Sequence, residues 1–174
     1  MSKSADLAKL IADPNTMLKR VVGNWRFTSN FSNSGNGADE DITANWEEAD
    51  DAGYARIGSA MTHSSGIFTF PQTGVYQIQT RVSYQDSGSA SSGVFIKIKY
   101  TANNSDYDLV ANGTGMALGT ANRPMHITAS AIIDITSTSN CKVKFTTNGG
   151  TYITYFGDNS NNSNCFSFIR LGDT

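Results

Sequence analysis

Acidic side chains in one short stretch are the first candidates for chemistry. Four carboxylates stand close together at Glu47, Glu48, Asp50 and Asp51. Their oxygens could bind calcium, but the stretch lacks the alternating Asp/Asn spacing and the closing Glu of a known calcium loop. Residues so close in sequence also cannot easily flank a sugar from both sides, as glycoside hydrolysis requires. We therefore predict a solvated turn.

Histidine and cysteine form no recognisable catalytic motif either. His63 and His126 are the only histidines, and neither lies in a nucleophile or metal motif. Cys141 and Cys165 are the only cysteines, and both stand at the starts of predicted strands. No second Cys or His stands at metal-ligand spacing, which favours two buried thiols over a disulfide bridge or a metal site. We expect no enzyme activity, no metal and no cofactor.

The composition indicates one domain with an uncharged polar surface. The chain has 174 residues, of which 39% are hydrophobic and 16% charged, with Gly 16 and Pro 3. These proportions are typical of many short strands joined by turns. The formal net charge of -2 offers no field that would attract phosphate backbones, so we expect no nucleic-acid partner. No apolar run approaches the ~20 residues that span a bilayer, and no signal peptide is recognisable, so we expect no membrane span and synthesis in a cytoplasm.

The N-terminal residues are predicted to form two short helices that anchor the protein to something larger. Apolar residues recur at helical spacing before Pro14, and a second such cluster is predicted to end at Gly23. Helices this short are marginal alone, so they must dock on a neighbouring chain or, as the alternative, on their own domain. The Asn-, Ser- and Gly-rich residues 30–41 are read as a linker, which gives an anchor at 1–41 and a domain at 42–174. The predicted attachment residues are Leu7, Leu10, Ile11, Leu18 and Val21.

Alternation of apolar and polar residues predicts strands in the rest of the chain. Within 66–84, Phe68 and Phe70 alternate with polar residues, Pro71 and Gly74 mark a turn, and Tyr76 begins the inward face of a second strand. Further strands are predicted near 94–100, 107–111, 126–136, 142–146, 152–156 and 165–171. Because no helical pattern separates these strands, they predict an antiparallel sandwich.

Two Phe-x-Phe pairs are far apart in the sequence. Phe68 and Phe70 form the first, and Phe166 and Phe168 the second. Such pairs are expected where two strands are neighbours in one sheet and share a layer of aromatic rings.

The first Phe-x-Phe segment resembles a known family. Residues 66–76, Gly-Ile-Phe-Thr-Phe-Pro-Gln-Thr-Gly-Val-Tyr, resemble the G-x-F-T-C-P-x-x-G-x-Y segment of the globular head domain of complement component 1q, and residues 166–169 resemble the segment that closes that domain. The match covers about 42–172, with Phe70 where many members carry Cys and Phe168 one position early. It implies a ten-stranded all-β jelly roll, shared with tumour necrosis factor, that assembles as a homotrimer. The aromatic layer would then lie at or near the threefold axis, with the residues Phe68, Phe70, Tyr76, Phe166 and Phe168.

A second resemblance concerns the biological setting. The pattern Met-Ser-x-x-Ala-Asp-Leu-Ala-x-Leu at residues 1–10, with residues 58–71, is similar to structural proteins of tailed bacteriophages. It implies a virion component assembled in the host cytoplasm: a trimeric decoration, cement or fibre protein attached to capsid, portal-proximal or tail proteins. The alternative is a receptor-binding tip whose polar loops 85–93 and 158–164 bind host surface glycans, although the scarcity of Trp argues against a strong sugar platform.

Overall fold

Strands and turns make up the part of the chain that a computed structural model describes, namely residues 20–35, 37–88, 93–117 and 123–174. The all-β prediction is confirmed, with more strands than the ten expected, because very short ones such as β2 and β3 are separate. Thirteen strands lie in these residues: β1 Val22–Phe27, β2 Phe31–Ser32, β3 Glu40–Asp41, β4 Trp46–Glu48, β5 Thr62–Ser64, β6 Ile67–Thr69, β7 Gly74–Asp86, β8 Val94–Thr101, β9 Asp108–Gly115, β10 Arg123–Ile135, β11 Lys142–Asn148, β12 Ile153–Tyr155 and β13 Cys165–Gly172.

The strands form two antiparallel sheets that face each other. Sheet A has the order β2-β12-β7-β13-β1-β4, with β10 along the opposite edge of β7. Sheet B has the order β5-β6-β11-β8-β9, with β3 also paired to β11. The longest ladder joins β7 to β10 over their whole length, from Gly74 opposite Ile135 to Asp86 opposite Arg123. The architecture is a jelly-roll sandwich.

The predicted inward faces of the long strands are confirmed. On β7, Tyr76, Ile78 and Val82 are fully buried, while Gln79 and Arg81 are exposed. The same alternation appears on β8 and β10, where the buried residues are Val94, Ile96, Ile98, Ile127, Ala129, Ile133 and Ile135. Because side chains on a strand point to opposite faces in turn, one face of each strand enters the core between the sheets.

The start of the domain is not where the sequence predicted it. Val22 and Gly23 belong to β1 rather than to the end of a helix, and Gly23 lies opposite Phe168. β1 pairs with β13 on one edge and with β4 on the other. These non-local ladders outweigh the helical spacing of a few apolar residues, which is a weak local signal. The boundary at 41/42 is therefore wrong, while the predicted helices before Arg20 lie outside the described residues.

The predicted linker is also part of the sandwich. It contains β2 and β3, and its aspartates bind lysines on the outer face of sheet B: Asp39 binds Lys97 and Lys99, and Asp41 binds Lys144 at 2.8 Å. Burial raises the pKa of the Asp39 carboxyl, but the hydrogen bonds from Lys97 and Lys99 outweigh it and hold that pKa well below its usual range. Lys97 and Lys99 lie on an inner strand, because β8 lies between β11 and β9.

Candidate interaction surface

The five residues of the predicted aromatic layer are brought together, but across the sandwich. Phe68 lies on β6 in sheet B, and Phe168 lies on β13 in sheet A. Their ring centroids are 5.2 Å apart, and those of Phe70 and Tyr76 are 4.8 Å apart. The Phe-x-Phe strands are therefore not neighbours in one sheet. They face each other through the core because both strands turn the same kind of apolar face inward.

The aromatic layer cannot be a contact between copies of the chain. Within one chain Phe70 is 1% exposed, and the other four residues are 0% exposed. A second copy could reach these rings only if the two sheets separated. The assignment of Phe68, Phe70, Tyr76, Phe166 and Phe168 to a threefold interface is therefore wrong, and the layer is the hydrophobic core of a single domain.

One of the predicted attachment residues is also part of the core. Val21 is 1% exposed, and its carbonyl accepts a hydrogen bond from the Arg170 backbone N–H at 2.8 Å. It cannot contact another protein, because it lies inside the domain just before β1. The remaining attachment residues, Leu7, Leu10, Ile11 and Leu18, lie outside the described residues.

The acidic stretch surrounds a buried arginine instead of forming a solvated turn. The Arg26 side chain is 0% exposed and contacts Glu47 at 2.9 Å, Asp50 at 2.6 Å and Asp51 at 2.7 Å. Arg26 lies on β1 directly opposite Glu47 on β4, which brings the following aspartates over the guanidinium. Sequence reasoning missed this cluster because the partners of Arg26 are about twenty or more positions away.

Arg26 also holds a second loop in place. Its Nη2 donates to the Asn159 carbonyl oxygen at 2.7 Å, and its Nη1 donates to Asn162 Oδ1 at 3.5 Å. The hydrogen bond to Asp51 raises the pKa of Arg26 far above its usual value, against the opposing effect of burial. The guanidinium thus takes the central position among the oxygens, and the described residues contain no group of three His, Cys, Asp or Glu side chains that could hold a metal ion. We call this set of contacts the ion cluster.

The histidines occupy two unlike environments. His63 packs against Trp25 and Phe68, with ring centroids 5.2 Å and 5.4 Å away, and burial lowers its pKa. His126 contacts the Ser83 hydroxyl through Nδ1 at 2.9 Å, but Ser83 is only 5% exposed and its hydroxyl donates to the Ser163 carbonyl. This Ser–His pair therefore offers no accessible nucleophile to a substrate.

The two cysteines are free thiols in different settings. Cys141 is 0% exposed, as predicted for a small buried side chain. Cys165 is only half-buried on the outer face of sheet A, and its Sγ donates to Asn24 Oδ1 at 2.7 Å. The prediction of two buried thiols is thus confirmed for Cys141 and wrong for Cys165.

One lateral side of the sandwich exposes apolar side chains. A Cβ on Gly113 of β9 would lie 2.1 Å from the Thr128 carbonyl oxygen of β10. Tyr100, whose cross-strand partner is Asp108, donates to the Asp134 carbonyl at 3.2 Å. β9 and β10 therefore run alongside each other in opposite directions. We call this edge the open side, and its exposed apolar residues are Leu109, Val110, Met116 and Ile132, which are 53%, 39%, 69% and 68% exposed.

The apolar surface continues from the open side onto the outer face of sheet A. Ile132 on β10 and Ile169 on β13 both lie opposite Gln77 of β7, and Ile169 lies opposite Val22 of β1. Val22 in turn bridges to Ile57, which is 45% exposed. We call the part of this line beyond Gln77, formed by Ile169, Val22 and Ile57, the apolar row. Sequence reasoning did not select these residues, although the consecutive Leu109 and Val110 break the alternation expected of a strand with one buried face.

The structure is similar to solved structures of the tumour-necrosis-factor and complement-1q type. Eiger TNF from S. frugiperda superposes with a TM-score of 0.64 at 13% identity, over 89% of this chain and 94% of that chain. Murine APRIL at pH 5.0 gives a TM-score of 0.62 at 9% identity, over 87% and 99%. The globular domain of zebrafish complement 1qA protein gives 0.56 at 9% identity, over 88% and 99%.

These similarities concern the fold. No family model matches the sequence, and no curated protein matches it. The chain has a jelly-roll fold of the complement-1q and tumour-necrosis-factor type. Nowhere in the described residues is there a helix long and apolar enough to cross a membrane.

Proposed function

We propose that this protein is a homotrimeric structural component of a tailed-bacteriophage particle, a decoration, cement or fibre protein attached through its N-terminal residues. The virion setting is supported by the resemblance of residues 1–10 and 58–71 to phage structural proteins. The fold is compatible with this role, although one fold serves many functions. The expected partners are other copies of the chain and the capsid, portal-proximal or tail proteins of the same particle.

Self-association rests on one observation, the exposed apolar side chains of the open side. Soluble monomers rarely expose large contiguous apolar patches, and such patches mark protein interfaces. Leu109 and Val110 lie on β9 and Ile132 lies on the neighbouring β10, and each is exposed by more than a third. Burying this surface in a second copy would stabilise the assembly by roughly 25 cal/mol per Å² removed from water.

The open side of one copy is proposed to pack on the apolar row of the next. The two surfaces differ, so the contact is head-to-tail rather than symmetric about a twofold axis. Head-to-tail contacts close into a ring when the rotation between neighbours divides the circle evenly. The choice of three copies comes from the family resemblance, and this interface replaces the one first expected at the aromatic layer.

Attachment to the particle is assigned to the residues before β1. The chain enters the domain at Arg20, whose carbonyl oxygen lies 2.2 Å from the position that a Cβ on Gly58 would occupy. Because Val21 is buried and β1 begins at Val22, a truncation for testing attachment must end at residue 19 and not at residue 23. Leu7, Leu10, Ile11 and Leu18 then remain the proposed contact residues.

Light scattering on the purified full chain tests the trimer. We expect a mass three times the 18.7 kDa of one chain. Leu109→Asp places a charge on the open side and should shift the mass to that of a monomer. Ser139→Asp is the control, since it adds the same charge at an exposed loop position outside the proposed interface. A monomeric wild type, or a Leu109→Asp variant that stays trimeric, would refute the interface.

Co-sedimentation with particles that lack the protein tests the attachment. A chain without residues 1–19 should remain folded and trimeric but should no longer sediment with the particles. Retained sedimentation would place the attachment on the jelly roll, and failure of the intact chain to bind would contradict the virion role itself.

A second candidate function is a glycan-binding tip for host adhesion. One observation favours it: Tyr152, at the end of the sandwich that carries the β7–β8 connection, is 49% exposed. Binding sites for small ligands combine aromatic side chains with a few placed polar groups such as hydroxyls.

A further inference from the structure

Hydrogen bonds fix the position of the Tyr152 backbone. Its carbonyl accepts hydrogen bonds from the Ser87 backbone N–H at 3.0 Å and from the Ser87 hydroxyl at 3.2 Å. Tyr152 lies within a turn that the Ile153 N–H closes by donating to the Gly150 carbonyl at 2.9 Å. The backbone of Tyr152 is thus tied to the end of β7.

The ring rests on a glycine. A Cβ on Gly88 would lie 2.3 Å from both Cγ and Cδ1 of Tyr152, so the ring lies directly against the Gly88 backbone. Gly88 is positioned in turn by its N–H, which donates to Asp86 Oδ1 at 3.0 Å. The Gly88 backbone thus covers part of the ring, while Tyr152 as a whole is 49% exposed.

The side chains beside the ring are uncharged hydrogen-bonding groups. The Ser87 N–H bond to the Tyr152 carbonyl extends the β12–β7 ladder by one position, so Tyr152 lies opposite Ser87 and next to the Thr154–Gln85 pair. Thr154 lies between Ser32 on β2 and Gln85 on β7. The Ser32 and Thr154 hydroxyl oxygens are 3.4 Å apart. Ser87, which donates to the Tyr152 carbonyl, is exposed. Hydroxyl and amide groups can both donate and accept hydrogen bonds.

We propose that Tyr152, together with Ser32, Gln85, Ser87 and Thr154, forms a binding site for an uncharged pyranose sugar. The apolar C–H face of the sugar stacks on the tyrosine ring, and the sugar hydroxyls exchange hydrogen bonds with the polar row beside it. All five residues belong to one chain, so the site needs neither the trimer nor the attachment. Its biological role rests on the second candidate function.

The chemistry favours neutral over acidic sugars. The nearest carboxylate in sequence, Asp86, is 1% exposed and faces the interior, so it cannot contact a ligand on the outer face. The five proposed residues carry no charge that would pair with a sulfate or a carboxylate. Recognition therefore depends on ring stacking and on neutral hydrogen bonds.

Binding of the full chain to immobilised oligosaccharides tests the site. The probes are neutral oligosaccharides ending in glucose, galactose, mannose or N-acetylglucosamine, with sulfated and sialylated oligosaccharides as the charged comparison. We expect the wild type to bind at least one neutral probe and to bind the charged probes no more strongly. Tyr152→Ala should weaken binding by about tenfold or more, and Tyr152→Phe, which keeps the ring, by no more than about threefold.

Two further variants separate the position of the ring from its presence. Gly88→Ala keeps Tyr152 but displaces its ring, so it should weaken binding nearly as much as Tyr152→Ala. Leu171→Ala removes an apolar side chain that is 53% exposed elsewhere and should leave binding unchanged. Circular dichroism confirms that each variant is folded.

Three results would overturn the proposal: no binding to any neutral probe, preference for the charged probes, or equal binding by the wild type and Tyr152→Ala. None of them bears on the trimer or on the attachment, which are measured by light scattering and by co-sedimentation.

Discussion

The two lateral sides of the sandwich are closed in different ways. On one side, β1 and β4 of sheet A meet β5 and β6 of sheet B through large side chains: Trp46 packs against Phe68 and Phe166, with ring centroids 4.9 Å and 4.7 Å away. On the open side, β9 approaches β10 through the backbone at Gly113. We call the first the sealed side.

The two kinds of closure leave different amounts of apolar surface exposed. The sealed side fills the gap between the sheets with aromatic rings and covers its outer surface with the ion cluster. The open side brings two backbones so close that no side chain fits between them at Gly113. Leu109 and Val110 on β9 consequently remain exposed. Closure by side chains buries apolar surface inside the chain, whereas closure by backbone leaves apolar surface exposed.

Removing an aromatic ring from the sealed side should lower the free energy of unfolding more than the other substitutions. Phe68→Ala deletes a side chain that is 0% exposed and contacts Trp46 and Phe168, so it should lower the free energy of unfolding by about 3–5 kcal/mol. Urea denaturation at fixed protein concentration measures it. Leu171→Ala, at an exposed position, should change stability by less than about 0.5 kcal/mol. A loss below about 1 kcal/mol for Phe68→Ala would mean that the rings do not seal this side.

The second effect concerns the ion cluster. Arg26→Met keeps the apolar stem but leaves Glu47, Asp50 and Asp51 without their common partner. We expect a loss of about 2–3 kcal/mol, below that of a fully buried pair because the carboxylates reach solvent. The matched control is Arg56→Met: the Arg56 side chain is 45% exposed and pairs with Glu48, so the substitution should cost less than about 1 kcal/mol. Equal losses in thermal or urea unfolding would contradict the difference drawn between the two arginines.

The third effect tests closure by backbone on the open side. Gly113→Ala would place a methyl group 2.1 Å from the Thr128 carbonyl oxygen, and separating the strands should cost about 1–3 kcal/mol. Gly172→Ala is the control, because nothing lies within 4 Å of the added methyl group. If Gly113→Ala proved as stable as wild type in chemical denaturation, the close approach of β9 and β10 would be excluded.

The smallest effect is a pH dependence on the sealed side. Burial lowers the pKa of His63 below its usual 6.5, so the unfolded chain binds a proton more readily than the folded chain. The free energy of unfolding should therefore keep its full value above about pH 7 and should decrease as the pH drops below 6.5, because the unfolded chain then takes up a proton at His63. His63→Phe should remove this slope between about pH 7 and 5, and His126→Gln should keep it. Unfolding curves across that range decide between them, and an unchanged slope in His63→Phe would refute the assignment.

Much of the fold could be predicted from local pattern. Alternation along β7, β8 and β10 identified their inward faces, because the period of two is a property of each strand alone. The turn at Pro71 and Gly74 was also predicted from the sequence. In the structure Gly74 has a φ of 136° and lies close to the Gly172 carbonyl oxygen, where a side chain would not fit. β1 was not predicted, because its stability comes from ladders with β4 and β13 that no local pattern reveals.

The candidate surfaces were less predictable than the fold. The Phe-x-Phe pairs were correctly expected to meet, yet the sequence could not tell a contact within one sheet from a contact across two. The acidic stretch showed its charges but not Arg26, whose position depends on the register of β1 with β4. Tyr152 was assigned to a strand, whereas β12 begins at Ile153, and the contact of its ring with Gly88 could not be predicted from local pattern.

By itself the sequence determined that this protein is an all-β sandwich and which face of each long strand turns inward, because alternation and turn residues act over a few positions. The sheet to which each phenylalanine belongs is visible only in the folded structure. The same is true of the three ion pairs of Arg26 and of the exposure of Leu109 and Ile132. These features depend on pairing between strands that are distant in the chain, and the register of such pairs is settled only when the whole sandwich closes.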